Sequence, residues 1–532
     1  MLRFYRILYV VIPLLIGASA WVHVMLPAES DKGWLLHAAH RWLEGGRLYV
    51  DIFEVNPPLI VMLYALPVWV STHVAGLADS EALAGLGLAI CALSAWAGTC
   101  VIRLHPAFAG NTAKQIKFAL LLGLIFVFYT KQSYFFDREH ILLVLIFPYV
   151  LRFMPSLAER TPSLRLRIII GCMAAVGFCV KPHTIIIFAA LQLFTLLRTR
   201  SFAALLSLEN RIIAALGVLY VLSIWIFTPE YFQTVLPMAL ETYSSFGSIN
   251  SGPSTYLPPF FVGMGVIFAH FRAQATPYRK DVYYLVGVSV AFLVYALANN
   301  GWDYTYNPLY CLLMFISAWL LWEYDWLRGE YETRGMPTQN ILFGLRGCVI
   351  VLTVNAAYIV IYLLAMASNM KNIRTPCDEN PQCPYTPQAK YMVEHQYHSF
   401  GTMTLDFSNW ITLMRLTGAH WETRFNHLWM MSKLMQSGAG FRADHRWIAE
   451  IVAKGFAEDL DRHKPDMLFV DNSPGFIGWP HSFDLPGYFS EVPAFKEAWS
   501  HYRFADSLNF CGNYGNSAPI SCRYDVYSRI AP

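Results

Sequence analysis

Apolar runs of about twenty residues recur through the first two-thirds of this 532-residue chain, and no other feature constrains its fold as strongly. That is the length an α-helix needs to cross a hydrocarbon core of roughly 30 Å. Candidate segments lie near 7–26, 58–78, 84–102, 117–130, 140–154, 168–180, 184–197, 211–228, 257–271, 283–299, 307–323 and 347–367. Charge is correspondingly scarce: charged residues make up 14% and hydrophobic residues 56%, with a mean hydropathy of +0.39, whereas an ordinary soluble domain carries roughly 25% charge. Disordered, collagenous, disulfide-miniprotein and ordinary cytosolic classes are excluded. The chain reads as a polytopic α-helical membrane protein with eleven or twelve membrane segments.

The charges are unevenly spread. Residues 1–367 hold 24 Lys+Arg and 19 Asp+Glu, and residues 368–532 hold 15 and 17. The charged fraction therefore rises from about 12% to about 19%, toward the soluble norm. Two parts are expected: a transmembrane domain over 1–367, with a first outer loop at 27–56, and an extracytoplasmic (periplasmic) α/β domain over 368–532. In the second part, Phe400–Leu405 and Pro465–Asp471 read as buried strands, Trp447–Arg462 as an amphipathic helix, and Tyr502–Phe504 and Tyr524–Tyr527 as edge strands. Its four cysteines, Cys377, Cys383, Cys511 and Cys522, lack the close spacing of a zinc knuckle. Outside the membrane an even count suggests local disulfides, Cys377–Cys383 and Cys511–Cys522.

Orientation follows from the retention of Lys and Arg in cytoplasmic loops. Arg3 and Arg6 place the N-terminus inside, and the arginine-rich loops around 152–167, 198–211, 272–280 and 328–346 alternate with the cation-free loops 229–256 and 299–306. An outer C-terminal domain requires an odd number of crossings, so one of 58–78, 84–102 and 117–130 should be re-entrant. Ala18-Ser19-Ala20 also fits a cleavable signal peptide, although the apolar run continues to Met25 and Leu26, as an uncleaved span would.

Six basic residues break the positional rule: Lys32, Arg41, Arg47, Lys131, Arg138 and Lys181. They fall in loop 27–56, in Lys131–His140, and in Lys181-Pro182-His183, and the first two places also hold Asp31, Asp51, Glu54, Asp137 and Glu139. Singly, each reads as a snorkelling end or a local ion pair such as Arg138 with Glu139. As a group they read as a site, because a charge at membrane depth costs roughly 2.5–3.5 kcal/mol and usually faces the bundle interior. Cations there suit an anionic lipid headgroup, Lys as a point charge and Arg as a bidentate fork, and a nearby carboxylate can serve as general base. The chain has no phosphate loop, no G-x-G-x-x-G and no H-E-x-x-H, so soluble nucleotide donors and zinc-protease chemistry have no visible seat.

Loop 27–56 reads Ser30-Asp31-Lys32-Gly33-Trp34, then Arg41-Trp42-Leu43, Glu44-Gly45-Gly46-Arg47-Leu48-Tyr49-Val50-Asp51 and Asn56-Pro57-Pro58. This resembles the first extracytoplasmic loop of GT-C glycosyltransferases, the polyprenyl-phosphate-sugar-dependent enzymes that include protein mannosyltransferases and the lipid A aminoarabinose transferase. Phe135-Phe136-Asp137-Arg138-Glu139-His140 and Val180-Lys181-Pro182-His183 are similar to the pattern of an uncharacterised bacterial branch of that superfamily. The resemblance implies a GT-C-like fold and an acidic catalytic residue at Asp31, which otherwise reads as a helix cap. Many relatives carry Asp-Glu where this chain has Asp31-Lys32.

What the resemblance implies is an inverting displacement at the sugar's anomeric carbon. Asp31 deprotonates the acceptor hydroxyl, and Lys181, Arg138 and Lys131 neutralise the departing lipid phosphate. Asp51, Asp137 and Glu139 are supporting carboxylates or, alternatively, ligands of a divalent cation. His140 and His183 read either as helix-end structural residues or as contacts to donor or acceptor. Trp302–Tyr306 either stacks on a sugar or lies at the interface, and Arg424 with Asn426–Trp429 either seats the acceptor or packs. The expected donor is a polyprenyl-phosphate-linked sugar, and the expected acceptor an envelope glycan, lipid or protein, at a bacterial inner membrane. No nucleic-acid partner is expected. The competing readings are a transporter or flippase of lipid-linked glycans and a non-catalytic GT-C-like scaffold; a transporter's paired repeats are not evident.

Overall fold

A computed structural model describes residues 2–28, 30–157, 160–247, 278–298, 303–333, 349, 352–368, 386–404, 410–437, 439–473, 483–509 and 523–530. Cys377, Cys383, Cys511, Cys522, the segment 257–271 and Trp302 lie outside the described residues. Among the described residues before 369 the helices are α1 (Leu2–Met25), α2 (Ser30–Leu43), α3 (Leu59–His73), α4 (Asp79–Ile102), α5 (Thr112–Gly123), α6 (Arg138–Arg152), α7 (Leu164–Val180), α8 (Ile185–Thr199), α9 (Leu208–Phe227), α10 (Leu236–Gly247), α11 (Arg279–Ala298), α12 (Asn307–Thr333) and α13 (Leu352–Ser368). Among the described residues four stretches are long and apolar enough to cross a membrane: α4, Pro182–Thr199, α9 and Lys280–Ala298. With 15 residues, α3 spans only about 22 Å.

The chain divides into two compact units. One comprises Met1–Leu26, Val74–Ser223 and Asn250–Ser368, and the other Pro27–His73, Ile224–Ile249 and Asn369–Pro532.

In the first unit α6 is buried on every side from Arg138 to Leu151, as a helix apolar all round must be. Small residues let its neighbours approach: a Cβ on Gly177 of α7 would meet Ile146 at 3.0 Å, and Ser94 of α4 donates to the Val144 carbonyl. After α5 the chain widens into a π-turn, Leu124–Phe128. Its loosened carbonyls need partners because no water reaches them inside a bilayer. Cys311 reaches Ile125 O (3.7 Å), His140 Nε2 donates to Phe126 O (2.8 Å), and Ser19 and His23 both reach Val127 O at 3.0 Å. At the loops read as basic, Arg167 grips the buried Glu209 with two bonds of 2.9 Å, and His105 meets Asp281 at 3.0 Å.

The second unit joins residues 27–73 and 224–249 to a small α/β region. Past α2, the Gly46 N–H bonds to Arg41 O and the Gly45 N–H to Trp42 O, with Gly45 at φ 99°, a Schellman ending that favours glycine. The α/β region contains α14 (Thr386–Glu394), β1 (Ser399–Met403), α15 (Trp410–Thr417), β2 (His420–Trp421), α16 (Trp429–Gln436), α17 (Ala439–Asp444), α18 (Arg446–Arg462), β3 (Met467–Asp471), α19 (Leu485–Phe489), α20 (Pro493–Trp499), β4 (Tyr502–Asn509) and β5 (Arg523–Arg529). The sheet order is β2-β1-β3-β5-β4, parallel among the first three and antiparallel at β5 and β4. Tyr524–Tyr527, expected at an edge, is therefore internal: β5 pairs on both sides, which buries Tyr524 and Val526.

Candidate active site

The first unit gathers its misplaced charges at the junction of three segments. Asp137 caps α6 by accepting from the Arg138 N–H at 2.7 Å, the usual role of an N-cap carboxylate. Phe136 just before it is left-handed (φ 59°), a costly conformation for a bulky side chain. Its N–H donates to His140 Nδ1 at 3.0 Å. Both nitrogens of His140 are therefore engaged by backbone, and the ring ties the turn to the π-turn. A Cβ on Gly87 would come within 3.0 Å of both Phe135 and Phe136, so α4 closes directly over this turn.

Lys181 arrives from the end of α7. A residue preceding proline is pushed out of helical geometry, and Lys181, before Pro182, stands at φ −141°, ψ 87°. That swings its ammonium onto Glu139 Oε1, which also accepts from Tyr295 OH at 3.0 Å. Arg138 pairs with Asp137 at 3.4 Å, and both cations lie over the Tyr304 ring, Arg138 at 5.7 Å and Lys181 at 5.2 Å. His183 stacks on Tyr295 at 5.6 Å. Asp137, Arg138, Glu139 and Lys181 are each no more than 6% exposed, and their formal charges cancel. Glu139 Oε2 is buried without a hydrogen-bond partner among the described residues.

Buried ion pairs are weak sources of stability, since desolvation offsets their attraction. A half-open carboxylate beside two cations can, however, offer both donors and an acceptor to an anionic, hydroxylated ligand. The local pairing expected for Arg138 with Glu139 is corrected by the fold: Glu139 turns to Lys181, 42 residues away, and Arg138 to Asp137.

The remaining candidates are placed as follows. Lys131 lies over the rings of Tyr134 (5.7 Å) and Tyr358 (5.3 Å). Asp31 occupies the first turn of α2, half-buried, in the second unit, at the helix end that favours negative charge. Asp51, in the same unit, meets Arg462 at 3.0 Å and the Arg47 N–H at 2.9 Å; burial opposes ionisation, but these bonds outweigh it and hold its carboxyl below the usual range. Of the carboxylates read as alternative ligands of a divalent cation, Asp137, Glu139 and Asp51 each pair with a cation of the chain. Among the described residues no group of three His, Cys, Asp or Glu side chains could hold a metal ion.

Arg424 is committed to Asp459 and Glu458, at 2.9 and 2.8 Å, and Trp429 is buried between Phe53 and Tyr243, so in this unit both residues pack.

Tyr295 escapes a reading of the sequence, and so do the partners of Tyr304 and of Glu54 in the second unit, residues that the sequence itself singles out. Tyr295 sits unmarked inside an apolar helix. Tyr304 belongs to the aromatic run 302–306 but spends its ring on two cations. Glu54, 2% exposed, accepts from Trp34 Nε1 (2.5 Å) and from the Asn56 N–H (2.8 Å), and only its place in the charged loop hints at this.

No protein-family model matches the sequence, and no curated protein does. Solved structures match by fold. ArnT from Cupriavidus metallidurans bound to undecaprenyl phosphate aligns with a TM-score of 0.51 at 12% identity, over 99% of this chain and 98% of that one. Its apo state gives 0.48 at 13% identity, over 98% of each chain. The Archaeoglobus fulgidus oligosaccharyltransferase AglB, in complex with an inhibitory peptide and a dolichol-phosphate, gives 0.42 at 10% identity, over 96% of this chain and 74% of that one. The ArnT complex carries the comparison, and at such identity the likeness is one of fold. The chain shares the fold of that ArnT structure, and with its long apolar helices it is an integral membrane protein.

Proposed function

We propose that this GT-C-fold chain is an integral-membrane glycosyltransferase that moves a sugar from a polyprenyl-phosphate donor to an envelope glycan, lipid or protein outside the cytoplasm. The observation that carries this reading is the buried Arg138–Glu139–Lys181 cluster, in a chain whose fold is that of a protein solved with undecaprenyl phosphate. Ion pairs this deep are poor stabilisers, so their presence calls for a role beyond folding. In the proposed reaction Asp31 takes the proton of the acceptor hydroxyl. That oxygen attacks the anomeric carbon, and the bond to the lipid phosphate breaks with inversion. Lys181 and Arg138, with Lys131, meet the charge left on the phosphate. A phosphate already leaves well, and neutralising its charge matters more than protonating it.

The test is release of radiolabelled sugar from a lipid-linked donor by the purified protein. Transfer to an acceptor supports the proposal. Movement of intact lipid-linked sugar across a vesicle membrane, with the glycosidic bond unbroken, would instead favour a flippase.

A further inference from the structure

The ends of α6 and α8 and the starts of α7 and α9 carry charge that the proposed reaction does not use. Residues 152–167 and 198–211 together hold seven arginines, two glutamates and no lysine. Retention of positive loops on one side of a membrane accepts lysine as readily as arginine, and Lys114, Lys117 and Lys280 show that other loops of this chain use both. A rim of arginine alone points to the planar fork, which grips a phosphate through two bonds where an ammonium offers a point charge.

The fold gathers three of these guanidiniums around one carboxylate. Glu209, fully buried in the first turn of α9, accepts both bonds of Arg167, so that fork is filled. Arg152 reaches Glu209 only at 3.4 Å and makes one long bond, of 3.4 Å, to Leu157 O. Its Nε is buried without a hydrogen-bond partner among the described residues. Arg198 makes a single bond of 3.3 Å, to Phe153 O. A guanidinium has five N–H donors, so Arg152 and Arg198 have donors to spare, and Arg167 and Arg198 lie close enough to repel Arg152. Asp281, which also faces this loop, is committed to His105 and to the Ser156 N–H. Among the described residues Glu209 is the one acid ion-paired with these arginines, which leaves two positive charges over.

The surroundings are apolar and exposed. Arg200, left-handed at φ 51°, ends α8 and turns the chain into the 3-10 turn Phe202–Leu206. Phe202 and Leu206 are exposed on it, as are Leu197 of α8 and Leu164 of α7. Exposed apolar side chains beside guanidiniums belong to the boundary between headgroups and acyl chains; a water-borne anion has no use for them. The rim ends α6, whose other end carries Arg138, roughly 21 Å away along the helix. It is therefore separate from the candidate active site.

We infer that Arg152 and Arg198 hold the phosphate of an anionic phospholipid from the leaflet these loops face, in a seat that Glu209 and Arg167 keep in place, with Leu197 and Phe202 beside its acyl chains. The inference is independent of the donor proposed above. Such a lipid ties the loop after α6 to the end of α8.

The experiment measures binding of phosphatidylglycerol and of phosphatidylethanolamine, with matched acyl chains, to the delipidated full-length protein by native mass spectrometry. Wild type should hold phosphatidylglycerol about tenfold more tightly, the scale of one to two arginines at an anionic surface. Arg152→Gln with Arg198→Gln should bring the ratio to about one, and Arg198→Gln alone to about threefold; the single variant decides if the double fails to fold. The control, Arg103→Gln with Lys280→Gln, removes two exposed cations from other basic loops and should leave the ratio unchanged. A wild-type ratio of one, an unchanged ratio in a folded rim variant, an equal fall in the control, or retention of inorganic phosphate as tight as that of phosphatidylglycerol overturns the inference.

Discussion

Two buried ion-pair networks, one in each compact unit, use the same residue types to different ends. In the second unit, Asp459 accepts from the Arg424 backbone N–H (2.8 Å) and from its guanidinium at 3.0 and 2.9 Å. The Arg424 carbonyl in turn accepts from the Phe53 N–H at 3.0 Å. That network is saturated and spends its bonds on joining the first loop to α18. In the first unit, Glu139 accepts from Lys181 and Tyr295 on one oxygen, and its other oxygen is buried with no partner among the described residues. A saturated network explains itself as structure, whereas an open one beside two cations retains capacity for a ligand.

The sharpest way to break this distinction is catalytic. Asp31→Asn should lower turnover by about 10³-fold, within the range of a lost general base, while the purified protein keeps its elution volume and melting temperature. Unchanged turnover in the transfer assay removes Asp31 from the mechanism.

Next in size is the open pair itself. Glu139→Leu strands the Lys181 ammonium and should cost about 3–5 kcal/mol. Glu139→Leu with Lys181→Met should recover most of that loss in denaturant unfolding, yet still fail to bind undecaprenyl phosphate. Recovery of both stability and binding would reduce the cluster to a structural pair. Lys181→Ala should weaken donor binding more than acceptor binding.

A third test uses pH. Burial holds the His427 imidazole, 8% exposed, down to about 3, from an ordinary value of 6.5. The unfolded chain takes up a proton near pH 6.5 and the folded chain does not. Stability is therefore flat above that pH and falls below it, by up to about 1.4 kcal/mol per pH unit. His427→Asn should flatten the decline in melting temperature between pH 6.5 and 4; an identical decline assigns it to other groups.

The smallest effect belongs to the exposed periphery. Arg462, with its side chain 65% exposed, bridges to Asp51, and Arg462→Ala should cost at most about 1 kcal/mol in denaturant unfolding.

Much of the fold is legible in order. The segments at 84–102, 168–180, 211–228 and 283–299 fall on α4, α7, α9 and α11, and the run 465–471 contains β3, because apolar length and periodicity are local properties. The π-turn is not legible, since it depends on donors from α1, α6 and α12 converging on three carbonyls. Nor is the interior place of β5, because one strand's own pattern does not say how many neighbours it has.

For the candidate site, sequence alone determined which charges were out of place, because positive-inside bias and the cost of charge at membrane depth act on composition. It supplied Arg138, Glu139 and Lys181 as suspects. Only the tertiary structure decided how they pair. The ammonium of Lys181 and the carboxylate of Glu139 belong to different helices, and the closing of α7 on α6 brings them together, with Tyr295 and Tyr304 supplied by segments more than a hundred residues further along the chain.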